Sequence, residues 1–333
     1  MTGYTSLTGL TKMRIFIDTH IPFVADAVRR EWPNVDICPM EPEQIDALAV
    51  RAADVLIVRT RTKVNQALLA GSRVRLVCTA TIGFDHIDTA WCDAHNVRWM
   101  SCPGCNAQAV CDYIEQALVE SPITNHQSPI TIGVVGVGHV GSLVAKMAER
   151  KGYKVLLNDP PRGIGVSLDE IARNSDIITF HVPLTANHQS PISNHQYPTF
   201  HLCDEAFLSR CKPNALIINA ARGGVVDEEA LLRSGHPYIL DTWENEPELN
   251  PRVLQHAFRA SMHIAGYSLE GKRNASQMCL DAVAAQFALP KICLLPVSSR
   301  SSALSGHWLA DITEQLKAHP DEFEQLRKNY SLR

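Results

Sequence analysis

Residues 130–159 read ITIGVVGVGHVGSLVAKMAERKGYKVLLND, and this stretch decides the fold. An apolar strand begins at Ile130 and runs into a glycine-rich turn at Gly136–Gly141. An amphipathic helix follows, and a second apolar strand ends at Asp159. Strand, turn, helix and strand in this order predict a βαβ unit, and hence a parallel sheet.

The turn has the G-x-G-x-x-G spacing of a dinucleotide site. Gly136 permits the tight turn, Gly138 lets the backbone approach a pyrophosphate, and Gly141 lets the helix pack against the strand. The helix N-terminus, at His139 and Val140, offers free N–H groups and the positive end of the helix dipole to phosphates. The sequence therefore predicts a bound dinucleotide at this turn.

The acidic residue at the end of the second strand selects the cofactor. A carboxylate at Asp159 accepts hydrogen bonds from ribose hydroxyls and repels a 2′-phosphate, which favours NAD over NADP. Arg162 lies nearby and keeps NADP as the alternative.

The flanking sequence continues the alternation of strands and helices. Helical spacing is predicted from Phe23, over Asn106–Val119 with Asn106 as N-cap, and over Glu270–Phe287. The predicted strands are Met13–Asp18, Val35–Cys38, Val55–Val58, Arg75–Ala80, Val97–Met100, Ile130–Val135, Val155–Asn158, Ile177–His181, Ala215–Asn219, Tyr238–Asp241 and Met262–Ile264.

Composition limits the partners. The chain has 333 residues, 20% of them charged, and a formal net charge of −4. Since no basic stripe stands out, we expect no nucleic-acid partner. No apolar run is long enough to cross a bilayer, so we expect no membrane partner and a cytoplasmic location.

Three polar residues follow the glycine motif, each near the end of a predicted strand. Arg222 can hold a carboxylate with its planar fork, and His263 can accept a hydroxyl proton as hydride leaves. Glu246 can hydrogen-bond the imidazole and fix its tautomer. Arg222, Glu246 and His263 therefore predict oxidation of a 2-hydroxy acid, although each alone could be an ordinary surface or loop residue.

The motifs HVPLT, NAARGGVVD, DTWENEP and HIAG follow the glycine turn in order. With this spacing the chain resembles the D-isomer-specific 2-hydroxyacid dehydrogenase family along nearly its whole length. The resemblance implies Arg222, Glu246 and His263 as the catalytic trio, and Asp241 facing the nicotinamide amide. The further cofactor contacts implied are His181, Pro183, Thr185, Ala220, Ala221 and Gly266.

Other segments resemble one group of this family, the erythronate-4-phosphate dehydrogenases. These segments include VRTRTKVN, TATIGFDHID, PGCNAQAV, FHLCDEAFL and EFEQLRKNY. The resemblance implies a homodimer that oxidises 4-phospho-D-erythronate with NAD to 2-oxo-3-hydroxy-4-phosphobutanoate, a step of pyridoxal phosphate biosynthesis. It further implies Thr60, Thr81, Tyr267 and Lys272 near the substrate.

A phosphorylated substrate needs cations. Arg59, Arg61 and Lys63 follow the strand at Val55–Val58, where arginine forks suit a phosphate. For Lys63 a solvated basic loop is an equally good interpretation. The alternatives for the whole chain are another D-2-hydroxyacid dehydrogenase, of the 3-phosphoglycerate or glyoxylate/hydroxypyruvate type, and an NAD-binding protein without catalysis.

We therefore predict an α/β protein of two domains, a doubly wound Rossmann-type parallel sheet and a flavodoxin-like α/β substrate domain. Residues 106–265 would form the NAD-binding domain. Residues 1–105 and 266–333 would form the substrate domain, with a dimerisation tail at the C-terminus.

Two further patterns are interpreted as structural, and no metal site is predicted. Cys102 and Cys105 form a single C-x-x-C, which we take as packed thiols. The hexapeptide NHQSPI occurs at 125–130 and at 187–192, and NHQ returns at 194–196. A metal site of His126, His188 and His195 is the alternative to surface loops here, but no carboxylate pattern accompanies it.

Overall fold

The computed structural model describes residues 12–123, 129–185, 197–297 and 307–331. The chain divides into two compact units. The first contains residues 1–105 and 272–297, and the second contains residues 106–271 and 298–333.

The first unit is built on a five-stranded parallel sheet. The strands β3 (Val55–Val58) and β4 (Leu76–Thr79) are buried along their whole length, as expected of strands covered on both faces. The order is β2-β1-β3-β4-β5, the flavodoxin-like order. The other strands are β1 (Arg14–Asp18), β2 (Asp36–Met40) and β5 (Arg98–Met100). The helices are α1 (Val24–Glu31), α2 (Gln66–Leu69), α3 (Thr89–Ala94) and residues 272–287 of α10 (Leu269–Phe287).

The second unit is built on a seven-stranded sheet with the order β12-β11-β10-β9-β6-β7-β8. All neighbouring strands are parallel except β7 and β8, which pair antiparallel. The strand order reverses between β6 (Thr131–Val135) and β9 (Ile177–Phe180), and ligands bind at such a switch point in doubly wound sheets. The other strands are β7 (Lys154–Asp159), β8 (Ile164–Gly165), β10 (Leu216–Asn219), β11 (Tyr238–Leu240) and β12 (Arg259–Ala260).

Helices cover both faces of this second sheet. One hydrophobic cluster joins α4 and α5 to β6, and another joins α6, α7 and α8 to β9 and β10. The predicted fold class, a Rossmann-type sheet with a second α/β unit, is therefore confirmed. The helices are α4 (Ala107–Val119), α5 (His139–Arg150), α6 (Leu168–Asn174), α7 (Glu205–Leu208), α8 (Glu228–Ser234), α9 (Pro251–His256), α11 (Trp308–Ala318) and α12 (Phe323–Asn329).

One local prediction was wrong, one was confirmed in position only, and one element was not foreseen. Met262–Ile264 is not a strand; the strand lies just before it at Arg259–Ala260, and His263 has a positive φ of 55°. Asn106 is the N-cap of α4, as predicted, but its side chain makes no cap hydrogen bond. The short antiparallel strand Ile164–Gly165 was not expected, because two residues carry no periodicity.

The C-terminal segment differs from the predicted domain boundary. Residues 298–333 fall in the second unit, not with the first hundred residues. The reason is packing, since Leu309, Leu316 and Phe323 are buried in the hydrophobic clusters of the second sheet. No helix in the described part of the chain combines the length and apolarity needed to cross a membrane.

Candidate active site

Two glycines shape the turn between β6 and α5. Gly136 has a φ of +89°, and a Cβ added to it would lie 2.7 Å from the carbonyl oxygen of His181 at the end of β9. A Cβ on Gly141 would lie 1.9 Å from the carbonyl oxygen of Gly136. Both residues are therefore required by the protein's own packing at the switch point.

Gly138 is different, because a Cβ there would meet no atom of the described residues within 4 Å. The packing of the protein therefore does not itself require glycine at this position. The open space beside Gly138 has room for a bound ligand. Gly138 is also the N-cap of α5, whose first amides at His139 and Val140 lie at the positive end of the helix dipole. This geometry fits the pyrophosphate of a dinucleotide.

The carboxylate of Asp159 faces the same turn. Its Oδ2 accepts a 2.8 Å hydrogen bond from the backbone N–H of Val137, and 12% of the side chain is exposed. Its Oδ1 forms no hydrogen bond within the described ranges, so it can still accept from a ribose hydroxyl. Arg162 lies 3.9 Å from Oδ2 and donates to the carbonyl oxygen of Val137 at 2.8 Å, so its charge partly offsets that of Asp159. The free carboxylate oxygen of Asp159 suits the ribose hydroxyls of NAD.

The segment after β9 is held in a fixed conformation. His181 continues the ladder by donating its N–H to the carbonyl oxygen of Val135 at 2.7 Å. Burial lowers the pKa of His181 to about 3, so its ring is neutral under physiological conditions. Thr199 then donates its hydroxyl to the carbonyl oxygen of Pro183 at 2.6 Å and accepts from the N–H of Thr185 at 2.8 Å. The Thr185 hydroxyl also contacts the Thr199 hydroxyl at 3.0 Å, so its contact with a cofactor stays a prediction.

Arg222 follows β10 in a bonded turn. The Asn219 side chain accepts from the N–H of Ala221 at 3.1 Å and donates to the carbonyl oxygen of Arg222 at 2.8 Å. The Arg222 guanidinium donates through Nη1 to the carbonyl oxygen of Ala221 at 2.7 Å. Ala220 and Ala221 thus lie at the carboxyl end of β10, with one edge of the Arg222 fork fixed and the rest available for a ligand.

Glu246 and His263 form a direct pair. Nδ1 of His263 lies 2.8 Å from Oε2 of Glu246, and the other carboxylate oxygen accepts from the backbone N–H of Trp243 at 2.8 Å. A proton on Nδ1 is thereby held by the carboxylate, which leaves the lone pair of Nε2 as the acceptor in the neutral ring. This is the arrangement of a general base oriented by an acid.

Asp241 supports the backbone at His263. The Asp241 carboxylate is 1% exposed and accepts from the hydroxyl of Ser261 at 2.6 Å, from the N–H of Ile264 at 2.7 Å and from the N–H of Ala265 at 3.0 Å. The positive φ of His263 costs energy, and these three bonds stabilise it. The predicted contact of Asp241 with nicotinamide stays a prediction, and the positioning role is an additional one.

The loop that carries Glu246 packs against the loop that carries Arg222. A Cβ on Gly223 would lie 1.8 Å from the carbonyl oxygen of Trp243 and 2.7 Å from the amide nitrogen of Glu244. Only glycine allows this approach, which explains the Gly after Arg222. Arg222 and Glu246 are thus brought to neighbouring loops.

The ring nitrogens of His201 face the carboxylates of Glu244 and Asp227, and these contacts link the two loops. Nε2 of His201 lies 2.6 Å from Oε1 of Glu244, and Nδ1 lies 3.7 Å from Oδ2 of Asp227. The three side chains have the spacing of a possible metal group, but each ring nitrogen already faces a carboxylate. Glu228 accepts from the N–H of Glu244 at 2.8 Å and is 4% exposed. None of these residues was predicted as part of the site. His201, Asp227 and Glu244 lie within the quoted motifs, but the motifs assign them no role, and Glu228 directly follows one.

Glu228 gives the protein a pH-dependent stability. Burial, together with the negative charge of Glu244, raises the pKa of Glu228 to about 7. A folded pKa above the unfolded value means that the native state binds the proton more tightly than the unfolded state. The contribution of Glu228 to the free energy of unfolding is therefore fully present below about pH 4.5 and is lost as pH rises through about 7. We expect Glu228→Gln, which keeps the acceptor oxygen, to stabilise the protein at pH 8 by at most on the order of 3 kcal/mol.

Thermal or urea unfolding at pH 5 and pH 8 measures this effect. Glu205→Gln is the matched control, because the Glu205 side chain is 80% exposed. Equal changes in the free energy of unfolding of the two variants at pH 8 would show that the pH-dependent stability does not come from Glu228.

The predicted substrate residues of the first unit lie after β3 and β4. Arg59 is half-buried, whereas Thr60, Arg61 and Lys63 are exposed. The hydroxyl of Thr81 donates to the carbonyl oxygen of Gly83 at 2.8 Å.

Lys272, in α10, is half-buried, and burial together with the charge of Arg59 lowers its pKa. Within the described ranges neither Arg59 nor Lys272 forms an ion pair. Two cations held together without an anion are a suitable place for a phosphate.

Gly266 and Tyr267 follow the His263 turn. Tyr267 donates its N–H to the carbonyl oxygen of Ile264 at 2.8 Å. A Cβ on Gly266 would lie 2.1 Å from Nδ2 of Asn106, whose buried Oδ1 has no hydrogen-bond partner in the described structure. Asn106 is therefore a further candidate for a ligand contact, and the sequence showed it only as a helix cap.

The C-x-x-C pattern lies among the described residues, and the histidine pattern does not. Cys102 is buried, with Sγ 3.8 Å from Sγ of Cys279. The sulfur contact with Cys279 and burial raise the pKa of Cys102, which is the opposite of a reactive thiolate. The possible ligands His126, His188 and His195 lie outside the described residues.

Comparisons with known proteins identify relatives of this chain. Residues 119–265 match the family model of the D-isomer-specific 2-hydroxyacid dehydrogenases, NAD-binding domain. The erythronate-4-phosphate dehydrogenase of Bacteroides fragilis is 40% identical over 96% of this chain and 97% of that enzyme. That of Porphyromonas gingivalis is 40% identical over 96% of this chain and 92% of that enzyme.

A solved structure supports the fold. The NAD-bound 3-phosphoglycerate dehydrogenase of Entamoeba histolytica superposes with a TM-score of 0.68 at 22% identity, covering 86% of this chain and 99% of that one. The likeness to the curated relatives extends over 96% of this chain at 40% identity, and it shows the family as well as the fold. The chain belongs to the D-isomer-specific 2-hydroxyacid dehydrogenase family, with an NAD-binding domain at residues 119–265.

Proposed function

We propose that this protein oxidises 4-phospho-D-erythronate to 2-oxo-3-hydroxy-4-phosphobutanoate with NAD. The observation that carries the reaction type is the hydrogen bond between Nδ1 of His263 and Glu246, because it leaves Nε2 free as a base. The likeness to erythronate-4-phosphate dehydrogenases over 96% of the chain supports the substrate.

The residues divide the chemistry between them. NAD, when bound, supplies the hydride acceptor. Nε2 of His263 takes the proton of the C2 hydroxyl, and Glu246 stabilises the imidazolium that forms. The free edge of Arg222 binds the substrate carboxylate or the C2 oxygen, where negative charge develops as the carbonyl forms. The C2–H bond breaks to give the hydride, so the products are the 2-oxo acid, NADH and a proton.

The cofactor would be held at the β6–α5 turn. The open space at Gly138 and the amides at the start of α5 suit the pyrophosphate, and the free oxygen of Asp159 suits the adenosine ribose. Tyr267 would donate a hydrogen bond to the substrate.

The phosphate of the substrate would be bound by cations of the first unit. Arg59 and Lys272 support this, because they lie close enough for the Arg59 charge to lower the pKa of Lys272 and have no ion-pair partner within the described ranges. Arg61, Thr60 and Thr81 are proposed as further ligands from their place after β3 and β4.

The test is a panel of 2-hydroxy acids with NAD, followed by the absorbance of NADH. The panel holds 4-phosphoerythronate, 3-phosphoglycerate, glycerate and lactate, and NADP replaces NAD in a second series. We expect the highest kcat/KM with 4-phosphoerythronate and NAD. A higher kcat/KM for an unphosphorylated acid would reject the proposed substrate, and tight NAD binding with no turnover of any acid would reject the enzymatic function.

We also propose that the protein is a homodimer that works in the cytoplasm in pyridoxal phosphate biosynthesis; the name of its relatives, erythronate-4-phosphate dehydrogenase, supports the pathway. Light scattering coupled to size-exclusion chromatography tests the proposed dimer, and a monomer at micromolar concentration would reject it.

A further inference from the structure

The C-terminal helix brings a cation to the His263 turn. On α12 (Phe323–Asn329), the side chains of Phe323 and Leu326 are 1% and 8% exposed and pack into the core of the second unit. Arg327 follows them on the edge of this buried face, and 26% of its side chain is exposed. The packing of α12 therefore fixes where the guanidinium lies.

Arg327 donates to the hydroxyl of Tyr267. The distance from its Nε to Oη of Tyr267 is 2.9 Å, and its Cζ lies 5.5 Å from the centre of the Tyr267 ring. Nη1 is 3.3 Å from Oε1 of Glu324 within the same helix. Nη2 forms no hydrogen bond within the described ranges, so the guanidinium keeps a donor for a ligand.

The charge of Arg327 also reaches the catalytic pair. Burial alone would lower the pKa of Arg327, but Tyr267, Glu324 and Glu246 together raise it, so the residue is a permanent cation. Glu246 is the acid that holds His263. A fixed positive charge is thus placed near the base without forming an ion pair with Glu246.

The direction of the hydrogen bond determines what Tyr267 can do. A phenol oxygen that accepts from Arg327 has its own O–H left to donate. A neighbouring cation also makes that O–H a stronger donor. Without Arg327 the hydroxyl could rotate freely.

We propose that Arg327 is a positioning and specificity residue, which directs the Tyr267 hydroxyl to an oxygen of the anionic 2-hydroxy acid. This inference rests on the proposed function, because it takes Tyr267 as a substrate ligand. With this role for Arg327, the C-terminal helix α12 becomes part of the substrate site. Neither the glycine motif nor the catalytic trio would lead one to expect a contribution from this helix.

The experiment is a double-mutant cycle of Arg327→Met and Tyr267→Phe, measured with the substrate that the wild-type protein prefers. We expect Arg327→Met to lower kcat/KM by about 10- to 100-fold, the equivalent of one charge-assisted hydrogen bond, mainly through KM. In the Tyr267→Phe background, the same substitution should change kcat/KM less than about threefold. Arg327→Lys should recover part of the loss in KM, because it keeps the charge.

The controls separate this role from a structural one. The Kd for NAD should be unchanged in every variant, and Arg233→Met removes a surface ion pair of the same 3.3 Å length without altering kcat/KM. Additive effects of the two substitutions, or an unchanged KM in Arg327→Met, would overturn the inference.

The outcome also separates two kinds of failure. If the wild-type protein prefers an acid other than 4-phosphoerythronate, the proposed substrate fails. The cycle measured with the preferred acid still decides the role of Arg327.

Discussion

Replacing His263 by alanine is expected to reduce turnover by about 10²–10⁴-fold, the usual contribution of a general base. The reason is specific to its geometry. Glu246 holds Nδ1 at 2.8 Å, so Nε2 is the acceptor for the hydroxyl proton, and alanine removes that acceptor. The Kd for NAD should change little, because the β6–α5 turn is formed by other residues.

His256→Ala is the matched control. His256 is an exposed histidine of the same unit, and its Nδ1 lies 2.8 Å from the carbonyl oxygen of Arg252. Turnover in this variant should remain within about twofold of wild type, as expected for a surface substitution. Turnover near the wild-type level in His263→Ala would remove the proton-transfer role.

Substitutions at two glycines of one turn are expected to have different effects. Gly141→Ala should both destabilise the protein and abolish tight NAD binding, because its Cβ would lie 1.9 Å from the carbonyl oxygen of Gly136. The helix must shift, at a cost of about 1–3 kcal/mol in unfolding free energy. Its N–H groups then leave the pyrophosphate, and the loss of two charge-assisted bonds raises the Kd for NAD at least about 100-fold.

Gly138→Ala should cost the free protein at most about 1 kcal/mol as a less favourable N-cap, since its Cβ meets no atom of the described residues within 4 Å, yet it should weaken NAD binding. Thermal unfolding without ligand and calorimetric titration with NAD measure the two effects separately. Equal NAD affinity in Gly138→Ala and wild type would contradict the assignment of this open space to the pyrophosphate.

Much of the fold could be predicted from local pattern. The strands of both sheets are short apolar runs, and the turn at Gly136 carries its own spacing, so period and glycine chemistry were sufficient. The failure at Met262–Ile264 has a physical cause. Met262 and Ile264 are apolar, and the N–H of His263 still donates to the carbonyl oxygen of Asp241, but the Asp241 carboxylate takes the N–H groups of Ile264 and Ala265, so the backbone pairing ends at His263.

The candidate site was predicted only where a motif marks it. Arg222, Glu246 and His263 follow recognisable sequences, whereas Glu228 and His201 depend on which loops pack together. Arg327 is far from His263 in sequence and reaches Tyr267 only because α12 folds onto the second unit. Its role needs tertiary structure, and no periodicity could have given it.

The need for a substrate phosphate is measured by the ratio of kcat/KM for 4-phosphoerythronate to that for erythronate, with NAD and the wild-type protein. The two acids share the C2 centre that Arg222 and His263 would contact, and they differ only in the phosphate that Arg59 and Lys272 would bind. We predict a ratio of at least about 100, since two or more charge-assisted hydrogen bonds are made only with the phosphate. A ratio near one would contradict the account.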